Sequence, residues 1–94
     1  MPATIHTLIE TSLTSALKPE RLLVLDESAS HAGHAGHDGH GESHFRVRIV
    51  AARFAGESRV NRHRIINEVL KPAFDRGVHA LAIEASAPGE PVRW

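Results

Sequence analysis

The sequence contains no cysteine, no tyrosine and only one tryptophan among its 94 residues. The absence of cysteine excludes disulfide bonds, and it excludes a thiolate ligand or a thiol nucleophile supplied by this chain. The formal net charge is zero, so overall charge gives no reason to expect binding to nucleic acid or to a membrane surface. Histidine and carboxylate side chains are therefore the metal ligands to expect from this chain.

The sequence also lacks long apolar segments. No stretch approaches the roughly 20 apolar residues that a transmembrane helix needs, and the N-terminus lacks the basic and apolar regions of a signal peptide. We therefore expect a soluble cytoplasmic protein that does not contact a membrane, with an organellar matrix as the alternative location. A chain of this length is expected to form one domain with a single small core.

Charge is divided unevenly along the chain although the total is balanced. Residues 1–43 contain two basic and six acidic side chains, whereas residues 44–94 contain nine basic and five acidic ones. A surface divided in this way could dock a partner of either sign.

Apolar residues at helical spacing predict a first amphipathic helix over residues 4–17. Thr4 is its expected N-cap, and Lys18-Pro19 is its expected end because proline disfavours the helical conformation in the residue before it.

A second helix is predicted over Arg59–Leu70, with Ser58 as its N-cap. Arg64 and Glu68 are expected to form an ion pair on its solvent side. Its predicted buried side chains are Val60, Ile66, Val69 and Leu70. A short helical turn follows from Pro72 and ends at Gly77.

Three segments, residues 21–25, 43–54 and 78–85, are predicted strands. Along the second, apolar and polar side chains alternate, so Phe45, Val47 and Ile49 should face the core. The third is apolar on both sides, which is typical of a strand that is covered on both faces or lies centrally in a sheet.

Residues 29–43, between the first two strands, are rich in histidine and glycine. The stretch SHAGHAGHDGHGESH contains five of the eight histidines in the chain. Glycine is unfavourable within both helices and strands, so we predict a long loop. Loops of about 15 residues are commonly functional or disordered.

The order of these elements, α-β-β-α-(α)-β, predicts an α+β fold. The segment between the last two strands is long enough for a right-handed crossover between parallel strands. We expect a three-stranded mixed sheet with helices packed on one side. Residues 1–86 should form a single domain, and residues 87–94 are predicted to be an unpacked, flexible C-terminal tail.

Several segments together resemble the BolA family. They are SHFRVRIV, FAGESRVNRHR with the pattern F-x-G-x-S-R-x-x-R-H-R, and GVHALAIEA, preceded by the amphipathic first helix. The resemblance covers about residues 4–86. It implies a class II KH-like fold, α-β-β-α-α-β, which agrees with the order predicted from periodicity.

The resemblance also implies a partner and a cluster. BolA-like proteins form a heterodimer with a monothiol glutaredoxin and share a bridged [2Fe–2S] cluster, whose sulfur ligands come from glutaredoxin and glutathione. The histidine of the GVHAL segment is His79 here. A second ligand is expected a few residues after Asp26-Glu27-Ser28, which indicates His31. Bacterial members have also been linked to DNA binding and transcriptional control.

This loop differs from the common family pattern because it also contains His34, His37 and His40. His34 and His37 are therefore further candidate ligands. Alternatively, the loop histidines are solvated and bind zinc, nickel or copper incidentally, or the loop is a separate metal buffer. Imidazole must be neutral to bind a metal, so such binding should weaken as pH falls through about 6.5.

Two further histidines, and His79 itself, also have structural interpretations. His79 shares a strand side with Leu81 and Ile83, so the residues alone favour a hydrogen-bonded histidine at the rim of the core. His44 is interpreted as a structural or rim residue, and His63 is expected to pack against the core.

Residues 46–64 contain six arginines and one acidic residue. Arginine at a helix N-terminus suits phosphate or carboxylate binding, so Arg59, Arg62 and Arg64 are candidates to contact a nucleic-acid backbone, glutathione or the glutaredoxin surface. A solvated helix face is the alternative. The segment GESR is not the GXXG loop of RNA-binding KH domains, and no aromatic stacking platform is evident.

No acid–base pair or nucleophile stands at a catalytic spacing, so we expect a protein without enzymatic activity. The preferred function is iron–sulfur cluster trafficking or iron regulation together with glutaredoxin. The alternative is a KH-like nucleic-acid-binding transcriptional regulator that uses the helix over Arg59–Arg64. A weak homodimer of the free chain is also considered.

Overall fold

The computed structural model describes residues 4–27 and 44–94. Its helices are α1 (Ile5–Leu17), α2 (Arg59–Val69) and α3 (Lys71–Asp75), and its strands are β1 (Arg21–Asp26), β2 (His44–Val50) and β3 (Ala80–Ser86). A short 3-10 helix covers Ala52–Phe54. This order confirms the α+β fold predicted from the sequence.

The three strands form one mixed sheet in the order β1-β2-β3. β1 and β2 are antiparallel, with Arg21 opposite Val50. β2 and β3 are parallel, with His44 opposite Ala80. β2 is therefore the central strand, and the expectation that the last strand is central or covered on both faces is wrong. The alanines on the outward face of β3, Ala80 and Ala82, are apolar but small. They therefore give β3 the sequence pattern of a buried strand although it lies at the edge of the sheet.

The core lies between the helices and one face of the sheet. Phe45, Val47 and Ile49 point into it from β2, as their alternation predicts. Fully buried residues from the other elements are Ile9 and Leu13 of α1, Ile66 of α2 and Phe54 of the 3-10 helix. Burial of this apolar face is the main force that holds the helices on the sheet.

α1 begins and ends where its sequence predicts. The backbone N–H of Thr7 donates to Oγ1 of Thr4 at 3.1 Å, which caps the first turn. Lys18 adopts a left-handed conformation with φ of 46°, and its N–H donates to the carbonyl of Thr14. The following proline cannot continue the helix.

α2 is capped as predicted, but its sides are arranged differently. The N–H of Asn61 donates to Oγ of Ser58 at 3.1 Å. Ile66 is fully buried, whereas Val60 is 60% exposed. Because successive helical residues are about 100° apart, Val60 lies about 120° around the helix from Ile66, and its predicted burial is wrong.

The predicted Arg64–Glu68 ion pair does not form in the described part of the chain. Glu68 pairs instead with Nζ of Lys71 at 3.2 Å. β2 is also shorter than predicted: it ends at Val50, and the chain then turns so that Phe54 enters the core.

Residues 87–94, which we call the C-terminal strap, differ from the unpacked tail that the sequence predicts. Ala87 is only 5% exposed. The carboxylate of Glu90 accepts two hydrogen bonds from Arg62, at 2.6 and 2.8 Å. The guanidinium carbon of Arg21 lies 4.3 Å from the ring centroid of Trp94. Side chains distant in sequence thus hold a segment whose prolines and glycine gave no sign of packing.

Candidate functional site

His79 lies directly before β3, and its side chain is exposed to solvent. His44 is the first residue of β2 and stands opposite Ala80 in the parallel ladder. The register therefore brings the two imidazoles to the same end of the sheet, with their ring centroids 6.5 Å apart. The interpretation of His79 as a histidine at the rim of the core is wrong, because its ring is open to a visiting group.

Glu27 and His44, which flank residues 28–43 in the sequence, also lie close together at this end of the sheet. The N–H of Glu27 donates to the carbonyl of His44 at 2.8 Å. The predicted ligands His31, His34 and His37, and also His40, lie outside the described residues.

The structure brings His44 beside His79, which sequence reasoning did not anticipate. Each of these histidines comes directly before an alternating or apolar strand segment, in HFRVRI and HALAI. That shared position was the available signal, but it becomes meaningful only when the two strands are known to be parallel and in register. Among the described residues, no cluster of three or more potential metal ligands occurs.

The side of the sheet opposite the helices carries an ion-pair network. Arg46 donates to Glu27 and to Glu84, each at 3.0 Å, and Arg48 donates to Glu84 at 3.0 Å. The hydrogen bond from Arg48 is the largest cause of the lowered pKa of Glu84, and the hydrogen bond from Arg46 is the next. The hydrogen bond to Glu27 is the largest cause of the raised pKa of Arg46. The positive charges of Arg46 and Arg48 are balanced by these carboxylates, so the two side chains are poorly placed to attract an external anion.

Arg62 is also committed to contacts within the chain. Besides its two bonds to Glu90, it donates from Nε to the carbonyl of Glu57 at 2.9 Å and from Nη1 to the carbonyl of Ala85 at 3.2 Å. Its side chain is only 13% exposed, and the bond to Glu90 raises its pKa. The guanidinium is therefore already occupied, and the structure removes Arg62 from the predicted anion-binding set.

Arg59 and Arg64 remain available. Both are exposed on α2, and neither makes an ion pair with any residue of 4–27 or 44–94. Two of the three arginines expected from the sequence thus keep the capacity to bind an external anion.

Comparison with known proteins decides the family. The family model described as BolA-like protein matches residues 13–90. The chain belongs to the BolA family. A Sinorhizobium sp. protein described as an uncharacterized protein in the cobS 5' region is 62% identical over 87 residues, which cover 92% of this chain and 94% of that protein.

Other BolA proteins give the same assignment. The DNA-binding transcriptional regulator BolA of Vibrio cholerae is 42% identical over 79 residues, covering 84% of this chain and 71% of that protein. BolA-like protein 1 of Mus musculus is 42% identical over 82 residues, or 87% of this chain, and the match spans 57% of the mouse protein.

A solved BolA structure confirms the fold. The BolA domain of SufE1 from Arabidopsis thaliana superimposes with a TM-score of 0.84 at 40% identity, covering 97% of this chain and 100% of that domain. The class II KH-like arrangement implied by the resemblance agrees with the three helices and the mixed sheet observed here.

Two other histidines of this BolA chain have structural surroundings. Nε2 of His6 lies 2.8 Å from the carbonyl of Val24, and its ring centroid lies 6.4 Å from that of Phe45. His63, expected to pack against the core, is half-buried on α2. Within residues 4–27 and 44–94, no helix combines the length and the hydrophobicity that a bilayer-spanning segment needs.

Proposed function

We propose that this BolA family member is a non-enzymatic protein of iron–sulfur cluster trafficking or iron regulation. In this proposal it pairs with a monothiol glutaredoxin and contributes histidine ligands to a [2Fe–2S] cluster carried between the two proteins. The observation that carries the proposal is the exposed imidazole of His79, which lies at the end of the sheet where β1 ends and β2 begins.

The available side chains suit this cargo. A chain without cysteine has no thiolate to offer, and imidazole is a good ligand for iron. Histidine in place of thiolate on one iron raises the reduction potential of a [2Fe–2S] cluster. In the proposed complex His79 supplies one nitrogen and a loop histidine, His31 or else His34 or His37, supplies another.

Anaerobic reconstitution with a monothiol glutaredoxin, glutathione, iron and sulfide tests this proposal. Visible absorption and circular dichroism would report the cluster, and native mass spectrometry would report the heterodimer. We expect His79→Ala to lose the spectrum of the mixed complex. His63→Ala removes a half-buried histidine of α2 and serves as the matched control.

Single replacements of His31, His34 and His37 would then identify the second ligand. If His79→Ala left both the spectrum and the stability of the complex unchanged, the ligand assignment would be wrong. Calorimetry on a variant lacking residues 31–40 separates a metal buffer from a cluster partner. Loss of zinc or nickel binding with unchanged glutaredoxin pairing would favour the buffer.

A second candidate function, nucleic-acid-binding regulation, is supported by Arg59 and Arg64 and by the description of the Vibrio cholerae relative as a DNA-binding transcriptional regulator. Binding to a labelled DNA duplex would be measured against salt. Each lost phosphate contact should reduce the slope of log K against log salt by about 0.9. Arg59→Ala and Arg64→Ala should show this, whereas Lys71→Ala on α3 should not. Absence of binding at moderate salt would remove this candidate.

A further inference from the structure

A groove of about 490 Å³ lies along the side of the domain where β3 is the outermost strand. Its walls come from the first turns of α2, from β3 and from the C-terminal strap. Among the residues that line it are Glu57, Arg59, His63, Ile83, Arg93 and Trp94. This volume falls within the range of pockets that bind small molecules or short peptide segments.

The backbone groups of alternate β3 residues point away from β2, and two of these residues, Ile83 and Ala85, line the groove. The carbonyl of Ser86 accepts from the N–H of Ala51, so Ser86 faces β2. Because successive strand residues point their backbone groups to opposite sides, Leu81, Ile83 and Ala85 direct theirs outward. The carbonyl of Ala85 confirms this, since it accepts from Arg62.

The outward groups of Leu81 and Ile83 have no hydrogen-bond partner within residues 4–27 and 44–94. An exposed strand edge with free N–H and C=O groups is a template for pairing with another extended segment. Arg62 blocks further pairing at Ala85, which confines a new strand to the positions of Leu81 and Ile83.

The groove carries unneutralised positive charge. Glu57 pairs with Arg53 at 3.1 Å, Glu84 pairs with Arg46 and Arg48, and Arg62 pairs with Glu90. Among the groove residues, Arg59 and Arg93 form no ion pair with the described chain. The occupant that complements this charge is anionic.

We propose that this groove binds an extended acidic segment of a partner protein, which adds to the outer edge of β3 as a fourth strand. Main-chain hydrogen bonds to Leu81 and Ile83 hold the segment, and Arg59 and Arg93 select its acidic side chains. This binding site does not depend on the cluster proposal, because it uses none of the candidate metal ligands.

The probe is a capped octapeptide of alternating valine and glutamate, titrated into ¹⁵N-labelled protein without glutaredoxin or iron. We expect amide shifts at Leu81, Ile83 and the strap. At a peptide concentration ten times the Kd, exchange of the Ile83 amide should slow about tenfold, because only about one molecule in eleven remains free.

Two comparisons separate strand addition from general attraction. Arg59→Ala and Arg93→Ala should each weaken binding by about two- to fivefold, as expected for exposed ion pairs, whereas Arg64→Ala on the same helix should not. A peptide of the same charge with N-methyl groups at alternate residues should not bind, because it cannot complete the main-chain ladder.

The proposal is overturned if the peptide causes no shifts at millimolar concentration, or if the N-methylated peptide binds equally well. It is also overturned if the free chain sediments as a dimer in which the amides of Leu81 and Ile83 are already protected from exchange. Occupation of the groove by single-stranded DNA in preference to the peptide would assign the site to nucleic acid instead.

Discussion

Ile66 and Val60 are both apolar residues of α2, but we expect them to contribute very differently to the free energy of unfolding. Ile66 is fully buried, and Val60 is 60% exposed. Truncation of a buried isoleucine to alanine costs about 2–5 kcal/mol, because apolar contacts are lost and a cavity remains. A domain of this size has a total free energy of unfolding of about 5–14 kcal/mol, so Ile66→Ala should remove a large share of it.

Val60→Ala should change the free energy of unfolding by no more than about 0.5 kcal/mol. The small loss of apolar contact is offset by the better helix propensity of alanine. Each free energy would be measured by urea unfolding at pH 7, followed by far-ultraviolet circular dichroism and by Trp94 fluorescence, whose agreement tests two-state behaviour. An equal loss of unfolding free energy in the two variants would refute the orientation of α2. It would support the buried position of Val60 that the sequence predicts.

Three further perturbations test one helix cap, the C-terminal strap and one turn. Ser58→Ala should lower the free energy of unfolding in urea by about 1 kcal/mol, because the N–H of Asn61 loses the Ser58 hydroxyl that accepts its hydrogen bond. Restored stability in Ser58→Asp would show that the cap is the cause. Arg62 and the N–H of Ala87 lower the pKa of Glu90 to about 2 from its usual value of about 4.5. The stability that this carboxylate contributes is therefore present above pH 4.5 and is lost as pH falls toward 2. Glu90→Gln should lower Tm at pH 7 and converge with wild type near pH 2, whereas a constant difference in Tm across this range would contradict the role of Glu90. Gly77 has φ of 114° with open space around its α-carbon. Gly77→Ala should thus destabilise the domain by about 1 kcal/mol or more through backbone strain alone; an unchanged urea midpoint would show that this turn relaxes.

Sequence reasoning identifies some residues of the candidate site correctly and misassigns others. The GVHAL segment identifies His79 as a candidate ligand, and the structure leaves this residue exposed. Whether His31, His34 or His37 binds a metal remains a prediction, since these residues lie outside the described part of the chain. Arg62 was grouped with Arg59 and Arg64 because all three are cationic and close in sequence, yet only Arg62 finds an internal carboxylate.

Local sequence is sufficient to predict the features that depend on neighbours a few positions apart. The side chains of Thr4 and Ser58 cap helices through N–H groups three residues away, and the alternation of β2 depends on the two-residue period of a strand. Long-range packing, in contrast, makes β3 an edge strand and brings His44 beside His79. It also pairs Glu90 with Arg62, which lies 28 residues earlier in the chain. These arrangements depend on strand order, parallel register and long-range ion pairing, which no local pattern of residues specifies.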